Sequence, residues 1–238
     1  MKRVFLLIVA LILSGCTNRI QYYTKSFPDY LDTITTYITY ASSKDDFDKQ
    51  CQYIEKRLDY YDKLFDNYHT YPSITNVMTI NQNAGKKAVV VDWDLFELLK
   101  VSKERYQNLS SQVNIAYGSV LTLWHDARER AGKHKNIGEP PHLENLEEAR
   151  AHTNINHVIL DESGHSVYLE DRAMSLDLGA VAKGYTMEKI KQGLVKRGVK
   201  SFLLNGGGNV VGVGKRLIAS DQADYKACKS HYCIGIAS

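Results

Sequence analysis

The sequence predicts an α+β fold in which antiparallel hairpins pack with helices, and three stretches carry that expectation. Phe47, Cys51, Ile54, Leu58, Tyr61 and Phe65 recur at steps of four and three, which is one apolar face of a helix. Ile155 to Asp161 and His165 to Glu170 are two β-prone runs separated by Glu162-Ser163-Gly164, a hairpin pattern. Ser201 to Leu204 and Val210 to Val213 flank Asn205-Gly206-Gly207-Gly208 as a second pair of strands.

Taken in order, the chain begins with Lys2 and Arg3 and then the apolar run Val4 to Leu13. A run of about ten residues is short for a membrane span and reads as the core of a signal peptide over residues 1–15. It closes on Leu13-Ser14-Gly15-Cys16, which resembles the bacterial lipobox, with Cys16 diacylated as the mature N-terminus and held at a membrane. The other reading is an ordinary cleaved signal with an incidental cysteine. Residues 16–30 then form a lipidated Cys and a tether, because Thr, Asn, Gln and Pro28 show no apolar period. A domain is expected over residues 31–238.

Thr33 to Ala41 is β-branched and aromatic and predicts a strand. Ser43-Lys44-Asp45-Asp46 is a Ser-x-x-acid cap for the helix that follows. Asp66 to Gly85 predicts loop or short turns around Val77 to Ile80, and Ala88 to Val91 a short strand. Asp94 is the expected cap of a helix over Leu95 to Leu109. Val113 to Trp124 fits either an extended or a helical segment. The charged stretch 127–141, ending in Pro140-Pro141, predicts a surface loop, and Leu143 to His152 a short helix. Ala180 to Arg197 predicts a helix stopped by Gly198.

A formal net charge of +3 without a Lys/Arg tract gives no footprint for nucleic acid. The cysteines form no disulfide framework. Cys51 falls on the apolar helix face, and Cys228 and Cys233 flank His231 without a second pair of ligands. A local disulfide or free thiols fit that spacing better than zinc.

The segment with the most chemistry is Ser175-Leu176-Asp177-Leu178-Gly179-Ala180-Val181-Ala182-Lys183-Gly184-Tyr185. A strand brings Asp177 to the entrance of a helix, and Lys183 stands in the first turn. Helix N-termini attract anions, so a cation placed there opposes the dipole unless a negative ligand joins it. A diphosphate is such a ligand. A plain strand-turn-helix with a solvated Lys183 fits the spacing equally well.

Asp177 to Tyr185 resembles the D-x-x-x-x-A-K-G-Y element of the ApbE family of FAD:protein FMN transferases. Asn205-Gly206-Gly207-Gly208-Asn209 resembles the Gly-rich turn that follows it. Asn76 to Asn81 is similar to the family's S-E-I-S-R-L-N segment, with Tyr68 at a flavin-contacting position. Val113-Asn114 through Leu123-Trp124 is similar to its A-F-D…L-W segment. The resemblance covers residues 30–216 and implies a T-fold-like arrangement of mixed and antiparallel sheets packed with helices. It implies transfer of FMN from FAD to a Thr or Ser hydroxyl of a partner flavoprotein, with Mg²⁺ and release of AMP. The Ala180 carbonyl would be a metal ligand, Asp177 and Lys183 catalytic contacts to FAD, and Tyr68 and Asn114 the lining of the flavin site. Hydrolysis of FAD to FMN and AMP, or flavin binding without turnover, are the alternatives.

Two departures from the family pattern stand out. Asn114 replaces the usual Asp, and the Glu of S-E-I-S is absent near Ile74-Thr75-Asn76. Tyr232 to Ile236 resembles a W-x-V-G-I strand, after which the family continues into H-I-I-D-P-like and D-x-x-x-T-like segments that supply metal ligands. The sequence given stops at Ser238, so the C-terminal part is expected to be missing, whether this is a fragment or a truncated form. The 238 residues alone are then expected to transfer little FMN, with Asp221 and Asp224 the first carboxylates to examine otherwise.

Overall fold

The structure of the chain, a computed structural model, describes residues 20–134, 138–217 and 231–232. Two antiparallel sheets organise it. The larger has the order β1 (Gln21–Tyr30), β2 (Thr33–Ala41), β6 (Phe202–Gly206), β7 (Asn209–Val213). The smaller has the order β3 (Val89–Val90), β5 (Ser166–Leu169), β4 (Val158–Asp161).

β1 corrects the expected tether, because residues 21–30 are strand. Gln21 pairs with Ala41 and the ladder runs to Phe27 opposite Thr35. Its apolar signal is weak, since Phe27 alone is buried on this edge strand. Pro28, which has no N–H to give a ladder, stands where the register shifts between Phe27 and Tyr30. Leu31 and Asp32 then turn the chain with φ of 53° at both residues, the two-residue hairpin geometry that matches strand twist. The second two-residue turn, between β6 and β7, uses Gly207 and Gly208 at φ 58° and 92°. A Cβ on Gly207 would lie 2.3 Å from Thr33 Oγ1, so the glycines serve a turn packed against β2.

Helix α1 (Lys44–Phe65) starts where its cap signature places it, with the Asp46 N–H donating to Ser43 Oγ. Its first half (Phe47, Cys51, Ile54, Leu58) packs under the larger sheet with Met187, Ile190 and Leu194 of α6 (Ala182–Lys196). Its last turn (Tyr61, Leu64, Phe65) enters a second core with α3 (Trp93–Asn108) and the smaller sheet. Each fully buried side chain of this kind contributes roughly 1.5–3 kcal/mol. Both cores therefore share α1 and α6, and Ala182, at the start of α6, is buried in the second core.

Several boundaries differ from expectation. Residues 66–85 contain α2 (Val77–Gln82), capped by Asn76, whose Oδ1 accepts the Thr79 N–H. Asp92 rather than Asp94 caps α3, its side chain accepting the Asp94 N–H. The ambiguous stretch divides, with residues up to Tyr117 outside any helix and α4 (Gly118–His134) beginning next. That helix takes in much of the expected charged loop, whose Arg128, Glu129 and Arg130 lie on its exposed side. Short α5 (Leu143–Arg150) follows, and residues 155–157 are a 3-10 turn before β4. Asp177 lies on an extended segment that is not a strand. Cys51 is buried, as expected, while Cys16, Cys228, Cys233, Asp221, Asp224 and 234–236 lie outside the described residues. Among the described residues no helix is long and apolar enough to cross a membrane.

Candidate functional site

The extended segment before α6 is fixed from both sides. Asn81 grips Leu176 twice, accepting its N–H at 2.8 Å and donating to its carbonyl at 3.0 Å. On the other side the Asp177 N–H donates to Ile115 O and the Gly118 N–H to Ser175 O, both at 2.9 Å. Gly118 has no room for a side chain, since a Cβ would lie 2.5 Å from that same Ser175 oxygen. Asp177 then bends the loop, with Oδ1 accepting the Gly179 N–H at 2.8 Å and Oδ2 accepting Asn67 Nδ2 at 3.2 Å. The chain enters α6 without a side-chain cap, and Lys183 is its second residue.

Tyr68, Asp177 and Lys183 line one cleft of about 530 Å³, alongside Phe65, Leu178 and Ala182 of the second core. Asp66, at the end of α1, sets the geometry of its wall. Its Oδ1 accepts the Tyr68 and His69 N–H groups, and its Oδ2 accepts the Tyr71 hydroxyl at 2.6 Å and faces His69 Nδ1 at 3.0 Å. Burial alone would raise the pKa of this carboxyl, but hydrogen bonds from Tyr71, Tyr68 and His69 hold it below the usual range. Asp62 is raised instead, by burial and by the neighbouring Asp66 and Asp32, although it accepts the Leu31 N–H. The Tyr68 phenol is raised, first by burial and then by the charge of Asp177. Its ring stacks on His125, with centroids 3.9 Å apart.

Asn114 and Ala180 line a neighbouring cleft of about 630 Å³ with Tyr106, Tyr117 and Arg150. The family resemblance puts both Tyr68 and Asn114 in the lining of the flavin site; in the structure they line separate clefts that meet at the 177–182 loop. Both ends of the Asn114 amide are engaged: Nδ2 donates to Thr153 O and Oδ1 accepts the Ala116 N–H, each at 2.9 Å. An ionised Asp there would turn a negative oxygen toward the Thr153 carbonyl. The departure from Asp thus has a structural reason.

His125, Arg128, Asn67 and Asp66 belong to the first cleft but were absent from the sequence expectation. The spacing of His125 and Arg128 on one helix face, directly after Leu123-Trp124, was the available signal. For a metal, the described residues contain no group of three or more His, Cys, Asp or Glu placed to hold one. Mg²⁺ favours about six oxygens in near-octahedral array, and a lone Ala180 carbonyl does not meet that need. The donor set described does not complete such a site.

The sequence profile described as the ApbE family matches residues 29–236. The chain belongs to the ApbE family. Among curated relatives, this ApbE chain is 36% identical over 141 residues to the FAD:protein FMN transferase of Klebsiella pneumoniae, covering 59% of this chain and 42% of that protein. It is 32% identical over 140 residues to the FAD:protein FMN transferase of Treponema pallidum, covering 57% and 37%. The chain thus spans less than half the length of these two curated relatives. Among solved structures, the ApbE protein of Thermotoga maritima superposes with a TM-score of 0.68 at 24% identity, over 82% of this chain and 60% of that one. The flavin transferase ApbE of Vibrio cholerae gives 0.69 at 16% identity, over 82% and 60%. The ApbE fold, with antiparallel sheets packed with helices, is therefore the fold of this chain.

Proposed function

We propose that this ApbE chain carries the flavin-gripping portion of an FAD:protein FMN transferase. The observation that supports the reading is the convergence of Tyr68, Asp177 and Lys183 on one cleft, joined through the 177–182 loop to a second cleft at Asn114 and Ala180. A dinucleotide has two ends around a diphosphate, and two clefts meeting at a helix entrance suit that shape. In the reaction, a Thr or Ser hydroxyl oxygen of an acceptor flavoprotein attacks the FMN-side phosphorus. The P–O bond to the AMP phosphate breaks, AMP leaves, and the hydroxyl proton passes to solvent or a base.

Such a transfer depends mostly on positioning and charge neutralisation. Lys183 would neutralise diphosphate charge, and Asp177 would hold the loop against Asn67 and Gly179 while contacting FAD. Mg²⁺ belongs to this reading as a hard cation that would offset diphosphate charge, with the Ala180 carbonyl as one group that would hold it; the described residues alone do not complete its site. We further propose that Cys16 is diacylated, holding the domain to a membrane outside the cytoplasm.

Incubation of the protein with FAD, Mg²⁺ and an acceptor domain tests the reading. Flavin covalently bound to the acceptor supports it. Free FMN and AMP without acceptor labelling would mean that water replaces the hydroxyl, and FAD left unchanged even by a chain extended through the family's C-terminal segments would reduce the cleft to a binding site.

A further inference from the structure

The first cleft contains a contact that the reaction above leaves unused. The Tyr68 ring lies nearly flat on the His125 imidazole, with planes 20° apart and centroids at 3.9 Å. The two rings are held very differently. Tyr68 has its backbone N–H tied to Asp66 Oδ1 at 2.6 Å, directly after α1. His125 projects from α4 beside the exposed Arg128, whose guanidinium lies 3.1 Å from Nδ1. A guanidinium can only donate, so Nδ1 is the acceptor in this contact. Ala127 anchors α4 in the interior while His125 remains partly exposed.

We propose that Tyr68 and His125 are the two jaws of a clamp for the planar ring of a flavin, an inference that rests on the flavin reading of this cleft. Tyr68 is the fixed jaw and His125 the mobile one. A third ring needs roughly twice the present separation, two stacking distances in place of one. A change of His125 to another staggered rotamer would supply it, giving up the Arg128 contact and the direct Tyr68 stack that now hold the imidazole. The bound ring then has an aromatic face on each side, and one His–Tyr contact is exchanged for two contacts with the larger flavin. Lys183, on the same cleft, would meet the phosphate portion of the ligand. The clamp therefore separates ring recognition from anion recognition, and assigns the former to a residue on α4.

The test titrates the full chain with riboflavin (ring without phosphate), ADP (diphosphate without the flavin ring) and FAD. His125→Ala is expected to weaken riboflavin and FAD about three- to tenfold, the loss of one aromatic contact, and to leave ADP unchanged. His125→Phe keeps a stacking face and is expected to restore flavin affinity. Lys183→Ala is expected to give the converse pattern, with ADP and FAD weakened and riboflavin unchanged. Unchanged or tighter riboflavin binding by His125→Ala would overturn the clamp, because the imidazole would then be a bystander or a plug. A parallel loss of ADP affinity, or no restoration by Phe, would overturn it as well. If the unsubstituted chain binds no FAD, the flavin reading fails first and the clamp falls with it.

Discussion

Two side chains show how differently a single residue can contribute to this cleft. Asp66 is wholly engaged, receiving two backbone N–H groups, a tyrosine hydroxyl and a histidine ring. Lys183 lines the open cleft at the entrance of α6. Asp66→Ala is expected to cost about 1–3 kcal/mol of stability and to loosen Tyr68, which urea unfolding and Tyr68 fluorescence or NMR can follow. Because the folded pKa of Asp66 is depressed, its contribution is fully present above the unfolded value of about 3.9 and is lost as pH falls through the folded value. Stability should therefore decline below about pH 4 less steeply in Asp66→Asn than in the unsubstituted protein. Lys183→Ala should instead leave stability nearly unchanged and weaken FAD roughly ten- to a hundredfold, the loss of one charge-assisted hydrogen bond. An unaltered FAD dissociation constant would return Lys183 to the role of a solvated lysine.

At the scale of elements, α6 is fastened to its neighbours by an ionic network some way behind the cleft. Asp94 accepts from Arg57 and Lys189, each at 2.8 Å, and from the Tyr61 hydroxyl at 2.9 Å. Glu97 accepts from Lys189 at 2.9 Å and from the Tyr185 hydroxyl at 2.6 Å. Burial opposes the charge of Asp94, but hydrogen bonds from Lys189 and Tyr61 and both cations outweigh it and hold its pKa low. Removing this partner takes the carboxylate from Arg57 and leaves Lys189 with Glu97 alone, so Asp94→Ala is expected to cost about 2 kcal/mol, measured as a shift of the unfolding midpoint. Ser43→Ala should cost only about 1 kcal/mol, the usual value of an N-cap. The sequence made α1 legible because its cap and apolar stripe agree. It misplaced the cap of α3 because Asp92 and Asp94 are equivalent in local chemistry; only the folded network reserves Asp94 for Arg57 and Lys189. It read α4 as loop beyond residue 127 because a helix exposed along one side shows charges where an apolar period would otherwise appear.

For the molecule as a whole, the antiparallel α+β arrangement was legible because both internal hairpins carry their own turn residues. The site was legible only in part. Asp177, Ala180 and Lys183 are contiguous in sequence, and their neighbourhood could be read directly. The division into two clefts depends on backbone bonds from Ile115 and Gly118 to the 175–177 segment, and on the side chain of Asn81, none of which leaves a local pattern. The proposed acylation has its own measurement: Cys16→Ala should abolish labelling by a metabolic fatty acid, and persistent labelling of that variant would refute it.

β1 changes what such an anchor means. With strand structure from Gln21 onward, only residues 17–20 separate an acylated Cys16 from the sheet, a contour length of roughly 18 Å at most from Cys16 to Gln21. A leash that short would confine an anchored domain to a shallow layer above the lipid headgroups and restrict how far it could tilt. An acceptor hydroxyl would have to be carried close to the bilayer to be reached, so encounters become a search in two dimensions among proteins of the same membrane. Inserting a flexible Gly/Ser spacer between Ile20 and Gln21 would deepen that layer, and the set of acceptors that can be labelled should widen with it.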